Sequence, residues 1–578
     1  MFKNKSFLTL ISLLLALLPA ILLAFIIVNY SVDLPRENDW EVHELYYKKT
    51  NGNLSIADLF KQHNQSRPFF PRLVLVSIGD LTHLDTRYQI LLSFLLACAI
   101  SCNVYLLCRM TVSGERWSCL LLLALANLLI FGPVQGENWL LGKISLFIPM
   151  ACITTALVIC CSSRSNISKV FLSILLCSMA TYSFAIGMVS WILLFPVLFL
   201  EVQRTSNRPK TWMLLYLFGM AINLVLYFWD YGKQAQTSFQ PDLFNLYISI
   251  RYFLTFLGAP LSRFFNKTEA IIPGVLMFCL LLGCVVYIFN RDRKDGLWRK
   301  SVPWLTLAGY SLISGMVTTL GRVGFGVNGA LSDRYTTHSA YLPVSLIFLL
   351  AIIYRNFLHP KWKNTARALT VTLLTFSIVS HSLTSAYGIH KMPVIRQNRC
   401  AGRTILALTH LLPHHEVFPD RSLSRVYLIK VIHNIRKYRK AGTWRLPFVE
   451  DRDMETIRGR DRHAGKDCGT LVGIRKIGDD RYEAYGRAWL PWRKEPVHAV
   501  LLAYTDSQGR QILFEYVLGP CGQRLTELSK YGKDELKKWR MSFSAEELPP
   551  GDVMISAWAY DALSGKAYPL NGFARVIR

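Results

Sequence analysis

Two carboxylates two positions apart, Glu37 and Asp39, sit in the run Arg36-Glu37-Asn38-Asp39-Trp40-Glu41, a few residues beyond an apolar stretch at 7–28. Acids placed there, beside a tryptophan at the mouth of a membrane protein, point to chemistry on a substrate that the membrane itself holds. The stretch His63-Asn64-Gln65-Ser66-Arg67-Pro68-Phe69-Phe70-Pro71-Arg72 follows in the same loop. Its two guanidiniums suit an anion, because a planar fork of N–H donors matches phosphate oxygens. Gly136-Glu137-Asn138-Trp139 precedes Lys143 in a second loop, and Arg322 with Asp333-Arg334-Tyr335 repeats the pattern late in the chain. A charge at the edge of a bilayer costs less than one at its centre, so each group alone is ordinary. Recurring together on one side, they describe a polar pocket that opens outward.

The elements that must position these residues are membrane spans. In 578 residues, 52% are hydrophobic and 18% charged, and the mean hydropathy is +0.28, values of a polytopic membrane protein followed by a more polar tail. The first run, with Lys3 and Lys5 ahead of it, exceeds the ~20 residues that cross a bilayer core. It is longer than the ~7–15-residue core of a signal peptide and no small-x-small cleavage site follows, so a retained helix is expected. Further runs at 88–108, 117–134, 144–161, 170–184, 186–201, 211–229, 271–290, 303–320, 339–354 and 368–386 make about 11 spans. Arg251, Gly258 and Pro260 interrupt another apolar segment at 247–266, which reads as a re-entrant or interfacial hairpin. Basic residues of alternate loops, among them Arg109, Arg116, Arg164, Lys169, Arg204, Arg299 and Arg355, assign those loops to the cytoplasm. The N-terminus is then cytoplasmic, and the first loop (30–87) and the tail lie outside.

The break falls near Tyr387, giving a membrane domain at 1–386, a helical connecting region at 387–469 and a last domain at 470–578. Ile405, Leu406, Leu408, Leu411 and Leu412, and then Val426, Leu428, Ile429, Ile432 and Ile435, have helical spacing, with Pro413 and Pro419 between them. From Thr470 onward, short alternating runs separated by turn signals such as Asp506-Ser-Gln-Gly509 and Asp561-Ala-Leu-Ser-Gly565 predict an antiparallel β-sandwich. Trp489, Trp492, Trp539 and Trp558 read as core, with a sugar-stacking platform as the alternative. Ten of thirteen cysteines lie in or beside apolar runs and none has metal-like spacing; Cys468 and Cys521 are the one candidate disulfide. The net charge of +27 does not signal nucleic acid: from 387 onward 33 Lys and Arg mingle with 21 Asp and Glu, and no RNA- or DNA-binding motif accompanies them. A solvated face near anionic lipid fits better.

An acidic-x-acidic motif just after the first of ten to thirteen spans, further external acid-aromatic loops and an extracytoplasmic C-terminal domain together resemble the GT-C superfamily of integral-membrane glycosyltransferases. Its members include bacterial enzymes that move lipid-linked sugars onto O-antigen and other envelope glycans. The likeness covers roughly residues 1–386, and Glu37-Asn38-Asp39 matches a modified DxD motif as ExD. The WWDYG motif of oligosaccharyltransferases is not found; Trp229-Asp230-Tyr231-Gly232 echoes it at a different place. The resemblance implies transfer of a sugar from a polyprenyl-phosphate donor to a glycan or glycolipid acceptor, at the outer face of a bacterial inner membrane. It implies Asp39 as base, Glu37 as its partner or as an aid to binding a divalent cation (Mg or Mn), and Arg67, Arg72, Arg322 and Arg334 as phosphate ligands. Glu137, Lys143, Asp333 and Tyr335 are then substrate-binding candidates. An O-antigen polymerase or ligase is the enzymatic alternative, for which arginine-rich loops late in the chain are expected. A lipid-linked-glycan transporter or flippase is the other, with inverted repeats or midplane charges as its signature.

Overall fold

The computed structural model describes residues 3–35, 39–112, 114–232, 243–262, 270–356, 360–408, 411, 434–435, 437–439, 442–519 and 534–578. Glu37 with its neighbours Arg36 and Asn38, Cys521, Pro413, Pro419, and Leu412, Val426, Leu428, Ile429 and Ile432 of the connecting region lie outside them. The chain divides into two compact units. One comprises Met1–Asn29, Leu54–Ile78 and Arg87–His390; the other comprises Tyr30–Asn53, Gly79–Thr86 and Lys391–Arg578.

The first unit is helical because its apolar runs can satisfy their backbone groups in no other way inside a bilayer. Each of the eleven runs coincides in large part with a helix. Among the described residues, eight helical segments have the length and apolar content to cross a membrane: Lys5–Tyr30, Thr86–Thr111, Arg116–Leu140, Ile144–Cys161, Ala185–Thr205, Pro209–Phe228, Ile271–Arg291 and Asp333–Arg355. Asn166–Thr181 is shorter, and Leu297–Arg322 and Pro360–Leu408 are long but more polar. The protein is thus a multi-pass helical membrane protein. Its core is built on large rings such as Trp139, Trp191 and Trp304, the last stacked on Phe348 with centroids 3.9 Å apart. A buried carboxylate, Glu201, receives Arg299 Nε at 2.6 Å and Nη2 at 2.9 Å.

The segment expected to form a hairpin is instead one continuous helix, Leu243–Ser262. Gly258 does not break it but brings it against the next helix, Ile271–Asp295: a Cβ at Gly258 would lie 2.3 Å from Ala270 O, and one at Gly274 would lie 1.8 Å from Leu254 O. Pro260 falls in the last turn, where a lost N–H has little helix left to disrupt.

The second unit ends in eight strands: β1 Gly469–Lys476, β2 Arg481–Leu490, β3 Glu495–Pro496, β4 Ala499–Thr505, β5 Gln511–Leu518, β6 Lys538–Ser544, β7 Asp552–Asp561 and β8 Lys566–Ile577. They run in the order β3-β2-β1-β8-β7-β4-β5, with β6 on the other edge of β2. Strict alternation in β6 buries Trp539, Met541 and Phe543, which meet Val500, Leu502, Phe514, Ile555 and Ala557 from the opposite strands. Among the described strands every pairing is antiparallel except that of β1 with β8; an isolated bridge from Arg458 to Ala567 of β8 is parallel too. Residues around Gly572 (φ +86°) bulge out of the β7–β8 register, and Asn571 there pairs parallel with Thr470 of β1. Trp539 and Trp558 are core, whereas Trp489 and Trp492 are half-buried, Trp492 lying flat on His463 at 4.6 Å.

A buried ionic network joins this sandwich to the end of the helix Pro360–Leu408. Arg396 Nε donates to Glu495 Oε2 at 2.8 Å and Arg493 Nε to Asp561 Oδ2 at 2.8 Å. His498 lies between them, with Nε2 3.2 Å from Glu495 Oε1 and Nδ1 3.0 Å from the Ala562 N–H.

Candidate functional site

Asp39 is the first residue of the helix Asp39–Thr50, where with Glu41 it complements the positive end of the helix dipole. Its side chain is half-buried and its carbonyl oxygen lies 3.0 Å from His43 Nδ1. Trp40 stacks on Trp444, with centroids 5.5 Å apart and planes at 16°, in a cluster with Leu34, Ile405 and Tyr438. That packing fixes the helix within the second unit. Burial holds the His43 imidazole below its ordinary pKa, against the opposing pull of the Asp39 charge. Glu44, one residue on, accepts from Lys437 Nζ at 3.1 Å and from Tyr438 Oη at 3.0 Å.

Arg67 and Arg72 belong to the first unit and are buried. The Arg67 guanidinium donates to Tyr227 O at 2.7 Å, Phe60 O at 3.3 Å, Asp230 O at 3.3 Å and Trp229 O. It therefore closes the C-terminal end of the helix Pro209–Phe228, whose last carbonyls lack helical partners. The Trp229–Gly232 echo is clasped by the same loop: Gln62 Oε1 accepts from Gly232 N at 3.0 Å, and Tyr231 Oη donates to Gln65 O at 3.2 Å. Arg72 donates to Leu59 O at 3.1 Å and to Lys61 O. Both guanidiniums are engaged by backbone oxygens.

The segments that carry Glu137 and Asp333 meet within the first unit. Asp333 Oδ2 accepts the Glu137 N–H at 3.1 Å, and Asn138 Nδ2 donates to Asp333 O at 2.8 Å and to Thr337 Oγ1 at 2.7 Å. Glu137 and Asp333 are thus neighbours, with Asp333 buried as part of the joint and Glu137 half-exposed. Lys143 is half-buried at the start of the helix Ile144–Cys161.

Arg322 and Arg334 differ from the other arginines. Arg322 ends the helix Leu297–Arg322 and lies over the Phe325 ring at 5.6 Å; Arg334 is exposed and lies over Tyr335 at 6.0 Å. Among the described residues neither has a carboxylate within ion-pairing distance. Between them the chain runs through the short helical turns Val323–Phe325 and Val327–Leu331, which pack on the helix Leu243–Ser262. Phe256 of that helix meets Tyr335 at 6.2 Å, and one turn earlier Tyr252 is acted on by the charges of Arg322 and Arg334. The sequence does not single out Tyr252, because Arg251, Gly258 and Pro260 interrupt the apolar pattern around it.

The structure therefore groups Arg322, Arg334 and Tyr335, and separately joins Glu137 to Asp333. Among the described residues no group of three or more His, Cys, Asp or Glu has the disposition of a metal site. Asp39 is the only described member of the ExD pair, so no step is assigned to a metal.

No protein-family description matches this chain, and no curated protein does. Among solved structures it is similar to the Archaeoglobus fulgidus oligosaccharyltransferase, which was determined with an acceptor peptide containing the NVT sequon tethered by a disulfide bond. The identity is 12% and the TM-score 0.35, over 67% of this chain and 57% of that one, so this chain spans little more than half of that protein. At that level of likeness, the functional conclusion rests on the residues.

Proposed function

We propose that this protein is an integral-membrane glycosyltransferase that moves a sugar from a polyprenyl-phosphate donor to a glycan or glycolipid acceptor at the outer surface of a bacterial inner membrane. The observation that carries this reading is the pair Arg322 and Arg334, two guanidiniums at the end of a membrane helix with no carboxylate partner among the described residues. Two guanidiniums that no described carboxylate neutralises favour an anion, and the phosphate of a lipid-linked sugar is one that their forked donors suit.

In the proposed reaction the acceptor oxygen bonds to the anomeric carbon as the bond from that carbon to the phosphate oxygen breaks. The acceptor proton passes to a general base, and the lipid phosphate leaves with the electron pair. As the sugar becomes oxocarbenium-like, charge accumulates on the leaving phosphate, where Arg322 and Arg334 stabilise it. In the first unit Glu137 and Tyr335 are offered to sugar hydroxyls; Asp39 of the second unit, with Glu37 as its partner, is the base that the ExD resemblance suggests. Engagement by backbone carbonyls moves Arg67 and Arg72 from ligand to scaffold in this scheme.

The test is mass spectrometry of envelope glycans from cells with the native gene, without it, and with Asp39→Asn. The native gene should add a sugar that the deletion lacks, and Asp39→Asn should resemble the deletion at unchanged membrane abundance. Full modification with Asp39→Asn would remove Asp39 as base, and identical glycans with and without the gene would sink the transferase itself.

A further inference from the structure

We infer that the Tyr252 hydroxyl is a third ligand of the phosphate held by Arg322 and Arg334, an inference that rests on the reading above. Tyr252 is fully buried, and its hydroxyl has no hydrogen-bond partner among the described residues. A buried phenol without a partner forfeits the bonds it made in water, a cost that natural structures rarely leave uncompensated.

Its position indicates what completes it. The helix Leu243–Ser262 packs on both short turns that follow Arg322 and on the helix Asp333–Ser339 that carries Arg334. The charged and titratable groups acting on the hydroxyl are Arg322, Arg334 and Tyr335. Gly329 lies over it: a Cβ built there would sit 3.6 Å from Tyr252 Oη, at ordinary contact distance. Gly326, at φ +86°, starts the turn that carries Gly329, a backbone state that glycine takes at little cost. A phosphate monoester bound by the two guanidiniums places three oxygens within the same corner, and a phenol O–H is a suitable donor to one of them.

The experiment measures binding of farnesyl phosphate, farnesol and inorganic phosphate to the full chain in phosphatidylcholine nanodiscs. Native protein should bind farnesyl phosphate more tightly than either of the other two. Tyr252→Phe should weaken farnesyl phosphate by about 10- to 100-fold, the range for a hydrogen bond to a charged group, and leave farnesol unchanged. Gly329→Ala is the second variant, because its methyl fills the space above the hydroxyl; it should weaken farnesyl phosphate in the same selective way. Native affinity for farnesyl phosphate in both variants, or equal loss of farnesol and farnesyl phosphate, overturns the assignment of Tyr252. Inorganic phosphate bound as tightly as farnesyl phosphate by the native chain overturns the lipid as its source. A native chain that binds neither, or variants Arg322→Gln and Arg334→Gln that bind as native does, would instead remove the proposed function on which the inference stands.

Discussion

Arg67 and Arg322 look alike in the sequence, each near aromatic residues between apolar runs, and opposite in the structure. Arg67 has its donors turned onto carbonyls, while Arg322 lies over a ring with no acid beside it among the described residues. The difference was not legible because it depends on which backbone oxygens come within reach, and those belong to residues some 160 positions away. It can be measured. Arg67→Ala leaves buried carbonyls unpaired and should destabilise the protein by about 1–3 kcal/mol, read as a lower unfolding midpoint, with prenyl-phosphate affinity unchanged in the folded fraction. Asp33 supplies a contrast with Asp39. Its carboxylate accepts from Thr86 N at 2.9 Å and Thr86 Oγ1 at 3.0 Å, yet burial first, and then the charge of Asp85, raise its pKa. A carboxyl raised on folding adds stability below its unfolded pKa of ~3.9 that is lost as pH rises through the folded value. The midpoint of Asp33→Asn relative to that of the native protein should therefore rise between acid and neutral pH while sugar transfer persists, and a difference that stays the same across that interval would contradict the assignment.

At the scale of elements, apolar runs were readable because bilayer length and backbone satisfaction leave few alternatives; the ends of Lys3–Tyr30, Thr86–Thr111 and Ile271–Asp295 fall close to the expected limits. Glycine and proline misled where they serve packing. The helix Leu243–Ser262 carries Gly258 at a contact and Pro260 near its end, and only three-dimensional neighbours separate that use from a break. The strands were legible through alternation and through turns such as Asp506–Gly509, where the Asp506 side chain accepts from the N–H groups of Gln508 and Arg510, both at 2.8 Å. The parallel contact of β8 with β1 was not, since it depends on a bulge that no local pattern announces.

At the scale of the whole molecule, the second compact unit draws Tyr30–Asn53 and Gly79–Thr86 from the first loop. Linear composition cannot reveal this, because residues such as Trp40 find their partners some 400 positions later. The ionic network of the second unit gives it an acid-sensitive heart. Burial alone would raise the carboxyls of Glu495 and Asp561, but His498 with Arg396 and His498 with Arg493 outweigh it and hold both below the usual range. Carboxyls lowered on folding stabilise at pH above their unfolded values near ~4, and that contribution disappears as pH falls through the folded values. Full-length protein in nanodiscs should thus lose its sandwich at acid pH, followed by tryptophan fluorescence, and Glu495→Gln should make the acid dependence shallower. An unchanged profile would show that the network carries little of the stability.

The contact at Gly258 and Gly274 has a consequence for how the protein can vary. Close approach of helices through small residues is a common device in membranes, but here a methyl at either position would meet backbone oxygen rather than a side chain that could turn aside. In a saturation library scored for correctly inserted protein, these two should be among the least permissive positions of their helices, while lipid-facing neighbours such as Ile250, Val275 and Leu282 accept most apolar replacements. The stretch of sequence that looked most like an interruption would then prove the least free to change.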